Sequence, residues 1–229
     1  MTAITPTKRN EVDAFLKQAR TFIIAPGTCG RLIFALDATA SRQPTWDSAC
    51  HLQEEMFCEV AAIAPLDIQL RYYRGLSECK ASSWVSDAQT LARLMTKIEC
   101  EGGWTQIGKV LAHARRENER QKVRTLVFVG DAVEEKIDDL CHASNLLRDV
   151  PALMFQEGDD RAAERAFRKI AQLTRGAYCR FDEGAADQLK DLLRAAAVYA
   201  AGGLQALSAS HGASAVKLIE QLAHPGDQS

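Results

Sequence analysis

Short, almost wholly apolar runs alternate with segments of helical periodicity along most of this chain, and this alternation restricts the fold more than any other feature. The clearest apolar runs are residues 31–36 (RLIFAL) and 123–129 (VRTLVFV), and a polar loop follows each. Such runs are typical of strands buried on both faces of a parallel sheet. The alternation predicts a three-layer α/β/α sandwich, Rossmann-like, with a doubly wound, mostly parallel sheet of about six strands and one antiparallel edge strand.

The periodicity also places the individual elements. The predicted strands cover residues 31–36, 67–73, 81–85, 123–129, 151–155 and 177–181. The predicted helices cover residues 8–19, 45–64, 86–98, 105–119, 135–148, 159–174, 188–201 and 214–222. At 229 residues the chain suits one large domain with appendages. We expect an N-terminal helical extension (1–28), a central α/β domain (29–202) and a C-terminal helical tail (203–229).

Composition excludes several classes of function. The 28 Lys and Arg residues against 30 Asp and Glu residues give a net charge of -2, so we expect no nucleic-acid partner. The first 20 residues carry charges where a signal peptide needs an apolar stretch, and the longest apolar windows fall short of the roughly 20 residues that span a membrane. We therefore expect a cytoplasmic protein with no membrane partner.

Seven cysteines without a paired spacing predict neither a disulfide framework nor a zinc site, and most are expected in the core: Cys29, Cys50, Cys58, Cys79, Cys100, Cys141 and Cys179.

Oxygen-bearing side chains stand where predicted elements end or begin. Asp37, Thr39 and Ser41 follow the first strand, Thr105 follows a Gly-Gly-Trp sequence at the start of a helix, and Asp131 follows the central strand. In open parallel sheets, ligands bind beyond the carboxyl ends of the strands. Hard divalent cations prefer carboxylate and hydroxyl oxygens, so these five residues are candidate ligands of Mg²⁺ or Mn²⁺.

These residues resemble the metal-ion-dependent adhesion site (MIDAS) of a von Willebrand factor type A (VWA) domain. The family's Asp-x-Ser-x-Ser motif is matched by Asp37, Thr39 and Ser41, its lone threonine by Thr105 and its second aspartate by Asp131. The resemblance covers residues 31–201 and includes the order of the elements. It departs from the family pattern in three places: a threonine at position 39, an alanine instead of glycine at position 40, and a tryptophan at position 104.

The resemblance implies a protein-binding module without catalysis. In the family, hydroxyl groups hold the metal, the aspartates act directly or through water, and an acidic residue of a partner protein completes the coordination. In intracellular, bacterial members the partners are often AAA-type ATPases, metal-chelatase subunits or stress-response complexes. Hydrolysis would also need a base or a nucleophile. No histidine adjoins the motifs, and His113 lies two turns along the Thr105 helix.

Two enzymatic alternatives use the same cluster. Residues 103–109 match the spacing G-x-x-x-x-G-K of a nucleotide-binding loop, but Val110 replaces the required Ser or Thr and a helix precedes the loop. Asp37 at a strand end is also typical of phosphoryl-transfer proteins, although Thr39 stands where the related phosphatases have a second aspartate. A third possibility is structural, with the hydroxyls capping helices and the aspartates accepting from loop amides.

Glu134 and Glu135 follow Asp131 closely. They are either supporting groups around the metal site or acidic residues placed by the dipole of the helix that they begin. The helix dipole alone accounts for them, and this is the interpretation we favour from the sequence.

Overall fold

One sheet organises the chain in the computed structural model, which describes residues 29–40, 65–182, 185–210 and 212–223. Its strands lie in the order β3-β2-β1-β4-β5-β6, and only β3 runs antiparallel to its neighbour. This is the predicted doubly wound, mostly parallel sheet with one antiparallel edge. The strands are β1 (Gly30–Asp37), β2 (Leu66–Arg74), β3 (Glu78–Val85), β4 (Thr125–Gly130), β5 (Ala152–Glu157) and β6 (Ala177–Phe181).

Helices cover both faces of the sheet and complete the three layers. One face carries the helices α1, α5 and α6, and the other carries α2, α3 and α4. Their bounds are α1 (Ala88–Met95), α2 (Ile107–Arg120), α3 (Ile137–Leu146), α4 (Arg161–Leu173), α5 (Ala186–Ser208) and α6 (Ala213–Ala223).

The strand β1 shows why the central runs are apolar at every position. Leu32, Phe34 and Leu36 enter the core under α1 and α5, whereas Ile33 and Ala35 enter the core under α2. All eight residues of β1 are buried. Each fully buried large side chain contributes about 1.5–3 kcal/mol of transfer free energy, so a strand between two helical layers is apolar on both faces.

Several element boundaries differ from the sequence predictions. The strand β3 begins at Glu78 rather than at residue 81. The helix predicted from residue 86 begins at Ala88, and its cap is Asp87, whose Oδ1 accepts from the Thr90 amide at 2.8 Å, while the Ser86 hydroxyl donates to Asp67. The helix α2 begins at Ile107, so Thr105 lies in the preceding loop rather than inside the helix.

The C-terminal region is more helical than predicted. The helix α5 continues to Ser208, past the predicted end at residue 201, and bends at Gly203, whose φ of 69° is accessible mainly to glycine. The predicted domain boundary between residues 202 and 203 falls at this bend, and the division into three segments stays a prediction. The predicted helices 8–19 and 45–64 lie outside the described residues.

The cysteines are less buried than predicted. Among the five that the structure describes, all are free thiols and only Cys179 is buried, whereas the other four are partly exposed: Cys29, Cys79, Cys100 and Cys141. Cys79 and Cys100 nevertheless pack against the core, so three of the five described cysteines contact it. Within the described ranges, no helix has the length and apolar character to cross a membrane.

Candidate functional site

The strands β1 and β4 are neighbours at the point where the sheet reverses its winding direction. The chain proceeds from β1 to β2 on one side and returns to add β4 on the other. Leu36 pairs with Val129, so Asp37 and Asp131 lie just beyond this pair at the carboxyl ends of adjacent parallel strands. Such a switch point is the usual ligand site of a doubly wound sheet.

Asp37 is a fully buried carboxylate with donors on both oxygens. It is 1% exposed, its Oδ1 accepts from the Thr39 amide at 2.8 Å, and its Oδ2 accepts from the Tyr73 hydroxyl at 3.0 Å. Burial is the main reason that the pKa of Asp37 is raised, and the nearby charge of Asp131 raises it further. The two carboxylates therefore interact electrostatically, as the motif spacing predicts.

Tyr73 is a member of the site that the sequence reasoning missed. It lies in β2 directly opposite Asp37 in the parallel register, and it is completely buried. Burial and the adjacent Asp37 carboxylate both raise the pKa of its phenol, so Tyr73 stays a hydrogen-bond donor. The sequence signal that would have identified it is the register of β1 against β2, which apolar periodicity alone does not supply.

Asp131 differs from Asp37 in its hydrogen bonding. Its Oδ1 is buried and has no hydrogen-bond partner in the structure. Leaving a buried polar atom unsatisfied costs about 1–3 kcal/mol, and more for a charged group. Such atoms are rare in folded proteins and often mark the place of an ion or a water molecule.

Thr105 is held by reciprocal hydrogen bonds with the loop that follows β4. Its amide donates to Glu134 Oε2 at 2.7 Å, and its Oγ1 accepts from the Glu134 amide at 3.0 Å. Thr105 is 6% exposed, so these bonds fix a nearly buried hydroxyl. They place the Thr105 loop beside the loop that carries Asp131.

The Glu135 side chain binds the first backbone amides of α2. Its two carboxylate oxygens accept from the amides of Ile107 and Gly108, at 2.6 and 2.8 Å. Glu134 and Glu135 thus satisfy amides at the N-terminus of α2 rather than the dipole of α3, the helix that they precede. Our interpretation from the sequence was wrong on this point, because the contact joins two loops that lie far apart in the chain.

Backbone hydrogen bonds connect the remaining loops at this edge. The Ala38 amide donates to Tyr73 O at 3.0 Å, the Glu101 amide to Ala38 O at 3.0 Å, and the Trp104 amide to Gly75 O at 3.3 Å. The loop after β1, the β2–β3 turn and the loop before α2 therefore support one another. Together they hold Asp37, Thr39 and Thr105 at the carboxyl edge of the sheet.

The described donors fit a hard divalent cation. They comprise the carboxylates of Asp37 and Asp131 and the hydroxyls of Thr39 and Thr105, whereas Ser41 lies outside the described residues. In the part of the chain that the structure covers, no three or more His, Cys, Asp and Glu side chains form a metal-binding group. Any cation here would depend on hydroxyl oxygens, and Mg²⁺ needs only one or two carboxylates.

The geometry does not favour the nucleotide-binding alternative. A phosphate loop presents free backbone amides at a helix N-terminus, but here the Glu135 carboxylate already accepts from those amides. Lys109 Nζ donates to Gln106 Oε1 at 2.7 Å, within its own helix turn. A loop, and not a strand, precedes the segment.

His113 is engaged away from the strand ends. Its Nε2 lies 2.7 Å from Gln69 Oε1, and the Gln69 amide nitrogen donates to Ser82 O, so the imidazole proton lies on Nε2. Burial, reinforced by the positive charge of Arg71, lowers the pKa of His113 to about 4. The imidazole is therefore neutral near pH 7 and holds α2 to β2.

The strand order, the antiparallel edge and the covering helices define a VWA-type α/β fold. The VWA protein from Catenulispora acidiphila superposes with a TM-score of 0.59 at 15% identity over 74% of this chain and 43% of that chain. The SpRpn10 VWA domain gives 0.52 at 13% identity over 68% and 89%. The pilus adhesin SpaC from Lactobacillus rhamnosus GG gives 0.57 at 8% identity over 77% and 30%.

The likeness is one of structure. No family model and no curated protein matches the sequence. This chain spans less than half the length of the Catenulispora protein and of the adhesin, but most of the Rpn10 domain.

Proposed function

We propose that this chain is a protein-binding module in which a divalent cation recruits an acidic residue of a partner protein. The cation is Mg²⁺ or Mn²⁺. The observation that carries the proposal is the buried, unpartnered Oδ1 of Asp131 beside the buried carboxylate of Asp37. The proposed ligands, acting directly or through water, are Asp37, Thr39, Ser41, Thr105 and Asp131.

Coordination, rather than net charge, explains why such a site would bind a carboxylate. Two carboxylates nearly neutralise a divalent cation, and threonine hydroxyls add no charge. When bound, the cation supplies a positive centre with a coordination position that a partner's carboxylate can enter. Tyr73 orients Asp37 and Glu134 orients Thr105, so the protein groups are positioned before any ligand arrives.

The structural neighbours support binding as the class of function. They include a pilus adhesin and a VWA domain of Rpn10, both of which share this fold. From the MIDAS resemblance, we propose that the partner belongs to an AAA-type ATPase, a metal-chelatase or a stress-response complex in a bacterial cytoplasm. Binding of this kind involves no catalytic step.

Thermal unfolding during a titration with Mg²⁺ or Mn²⁺ tests the metal dependence. We expect the cation to raise the midpoint, because it binds the folded chain. Millimolar concentrations should be needed, because Mg²⁺ gives up its water reluctantly and the protein ligands are few. The double variant Asp37→Ala, Thr105→Ala should lose the shift. Asp159→Ala, an exposed residue beyond β5 at the same edge, should keep it. A wild-type midpoint that stays constant up to millimolar cation would count against the proposal.

Cross-linking followed by pull-down tests the partner. A protein captured by the wild type in Mg²⁺ should be lost in a chelator and lost with the double variant. Equal capture with and without the chelator would indicate a surface that works without metal.

A further inference from the structure

Two large apolar side chains project into solvent next to the candidate cation site. Leu76 is 77% exposed and Trp104 is 59% exposed, the highest values for large apolar residues in the described part of the chain. Leu76 lies in the β2–β3 turn, and Trp104 immediately precedes Thr105. Isolated exposed apolar residues are common, but tryptophan beside a binding site is typical of interaction surfaces.

The two residues are held together by their backbones. The Trp104 amide donates to Gly75 O at 3.3 Å. Leu76 directly follows Gly75 and Trp104 directly follows Gly103, and the backbones of these two glycines are in contact. A Cβ added to Gly103 would lie 2.0 Å from Gly75 O, which shows how closely the two loops approach. The backbone segments that carry Leu76 and Trp104 are therefore fixed against each other before a partner binds.

Charged side chains of both signs border this surface, so a preference for a negative partner would come from the proposed cation. Lys109 is exposed, and its Nζ lies 3.4 Å from Ser77 O, beside Leu76. Two acidic residues also lie close to these loops. Glu101 lies 3.9 Å from the Arg74 guanidinium, and Glu135 accepts from the amides of α2. A cation bound at the neighbouring candidate site would add positive charge beside Lys109.

We infer that Leu76 and Trp104 receive a large apolar side chain of the same partner segment whose carboxylate reaches the cation, an inference that rests on the proposed function. The partner is then a short acidic segment in which a large apolar residue stands within a few positions of an Asp or Glu. The acidic residue provides the metal dependence, and the apolar residue provides selectivity among acidic segments.

A displayed library of random twelve-residue peptides, selected on the full chain in Mg²⁺ and eluted with a chelator, tests this inference. We expect eluted peptides to combine Asp or Glu with Leu, Ile, Met, Phe or Trp within about three positions. A synthetic peptide from this pool is then titrated by fluorescence anisotropy. The variant Leu76→Ala, Trp104→Ala should bind it at least about tenfold more weakly.

The controls separate this surface from the metal site. Leu146→Ala removes a side chain with 51% exposure at the C-terminal end of α3, away from the site, and should leave peptide affinity unchanged. The variant Leu76→Ala, Trp104→Ala should keep the thermal shift with Mg²⁺, because neither residue is a proposed ligand. Leu76→Ala alone, at a side chain that is mostly in solvent, should fold normally and weaken binding severalfold.

The outcomes distinguish the two proposals. Acidic peptides without apolar enrichment, bound equally by the double variant and the wild type, would overturn this inference and leave the cation site intact. Peptides that bind equally in the chelator would overturn the inference as well, because the acidic residue would then not reach a cation. A missing thermal shift together with no chelator-eluted peptides would remove the proposed function and the inference with it.

Discussion

At the residue scale, the two aspartates at the switch point differ in their hydrogen bonding. Asp37 is buried with a donor on each oxygen, whereas Asp131 has a buried oxygen with none. Donors of the protein itself satisfy the first carboxylate, whereas the second has a buried oxygen that a bound cation would satisfy under the proposed function. This asymmetry assigns Asp37 to the architecture of the site and makes Asp131 the better probe of ligand binding.

Tyr73→Phe tests the support of Asp37. The change removes the hydroxyl that donates to Oδ2 and leaves a buried carboxylate oxygen unsatisfied, so we expect a loss of about 1–3 kcal/mol in the free energy of unfolding. Tyr178→Phe is the matched control, since that buried hydroxyl donates to the neutral Gln156 Oε1 at 2.8 Å. Urea denaturation at pH 7 should show a larger loss for Tyr73→Phe, and an equal or smaller loss would contradict the role given to Tyr73.

The neutral state of His113 predicts a pH dependence of stability. Its pKa is about 4 in the folded chain, below its ordinary value of 6.5, so the unfolded chain takes up a proton first as the pH falls. The contribution of the neutral His113 imidazole to the free energy of unfolding is complete above pH 6.5 and is lost as the pH falls toward 4. Because the ring is half-buried, we expect a loss on the order of 1 kcal/mol between pH 7 and 5.

The variant His113→Gln isolates this effect, since glutamine retains a donor for Gln69 but does not titrate. Urea denaturation at the two pH values should show a smaller drop for the variant than for the wild type. Parallel losses in both proteins would assign the pH dependence to other groups.

At the element scale, the N-terminus of α2 depends on a carboxylate from another loop. The residue at the cap position, Gln106, makes no capping hydrogen bond with its side chain. Glu135 supplies this function across 27 and 28 residues of sequence. The start of α2, and with it the position of Thr105, is therefore coupled to the loop that carries Asp131.

Glu135→Ala removes both amide bonds at this helix start. We expect a loss of about 1–2 kcal/mol in stability, the usual range for a lost N-terminal cap with a charged acceptor. Glu119→Ala, near the exposed C-terminal end of the same helix, removes a surface ion pair with Arg115 and should cost at most about 0.5 kcal/mol. Equal losses in chemical denaturation would show that Glu135 does not secure the helix.

Elements with strong local patterns were predictable from the sequence. The strand at residues 177–181 was placed correctly, and β1 and β4 were placed to within two residues, because apolar runs buried on both faces leave few alternatives. Asp37, Thr105 and Asp131 were found because strand ends and a Gly-Gly loop are visible in sequence. Whether they bind a cation stays a prediction.

Features that depend on contacts between distant segments were not predictable. Tyr73 joins the site through strand register, and Glu134 and Glu135 join it through contacts between loops. The choice of Asp87 over Ser86 as the α1 cap follows from Ser86 being bonded to Asp67 on a neighbouring strand. In each case the deciding partner lies far away in sequence or across a strand pair.

At the scale of the whole molecule, the candidate site lies between the two halves of the sheet. The strands β3, β2 and β1 lie on one side of the switch point, and β4, β5 and β6 lie on the other. A cation held by Asp37 and Asp131 would link both halves and stabilise only the folded chain, so its effect on stability grows with its concentration.

Asp131→Ala separates the cost of an unsatisfied carboxylate oxygen from the benefit of a bound cation. In a chelator the variant should be at least as stable as the wild type, because it lacks an unsatisfied carboxylate oxygen beside Asp37. In millimolar Mg²⁺ the wild type should become the more stable protein. Midpoints of thermal unfolding that keep the same order in both conditions would contradict this assignment.

Direct binding of Mn²⁺, followed by the loss of the electron paramagnetic resonance signal of the free ion, tests the central claim most directly. The wild type should bind about one equivalent of Mn²⁺, excess Mg²⁺ should displace it, and Asp131→Ala should weaken the binding at least about tenfold while Asp159→Ala leaves it unchanged. A wild-type chain that binds no Mn²⁺ at millimolar concentration, or an Asp131→Ala variant that binds it equally well, would contradict a cation site between Asp37 and Asp131.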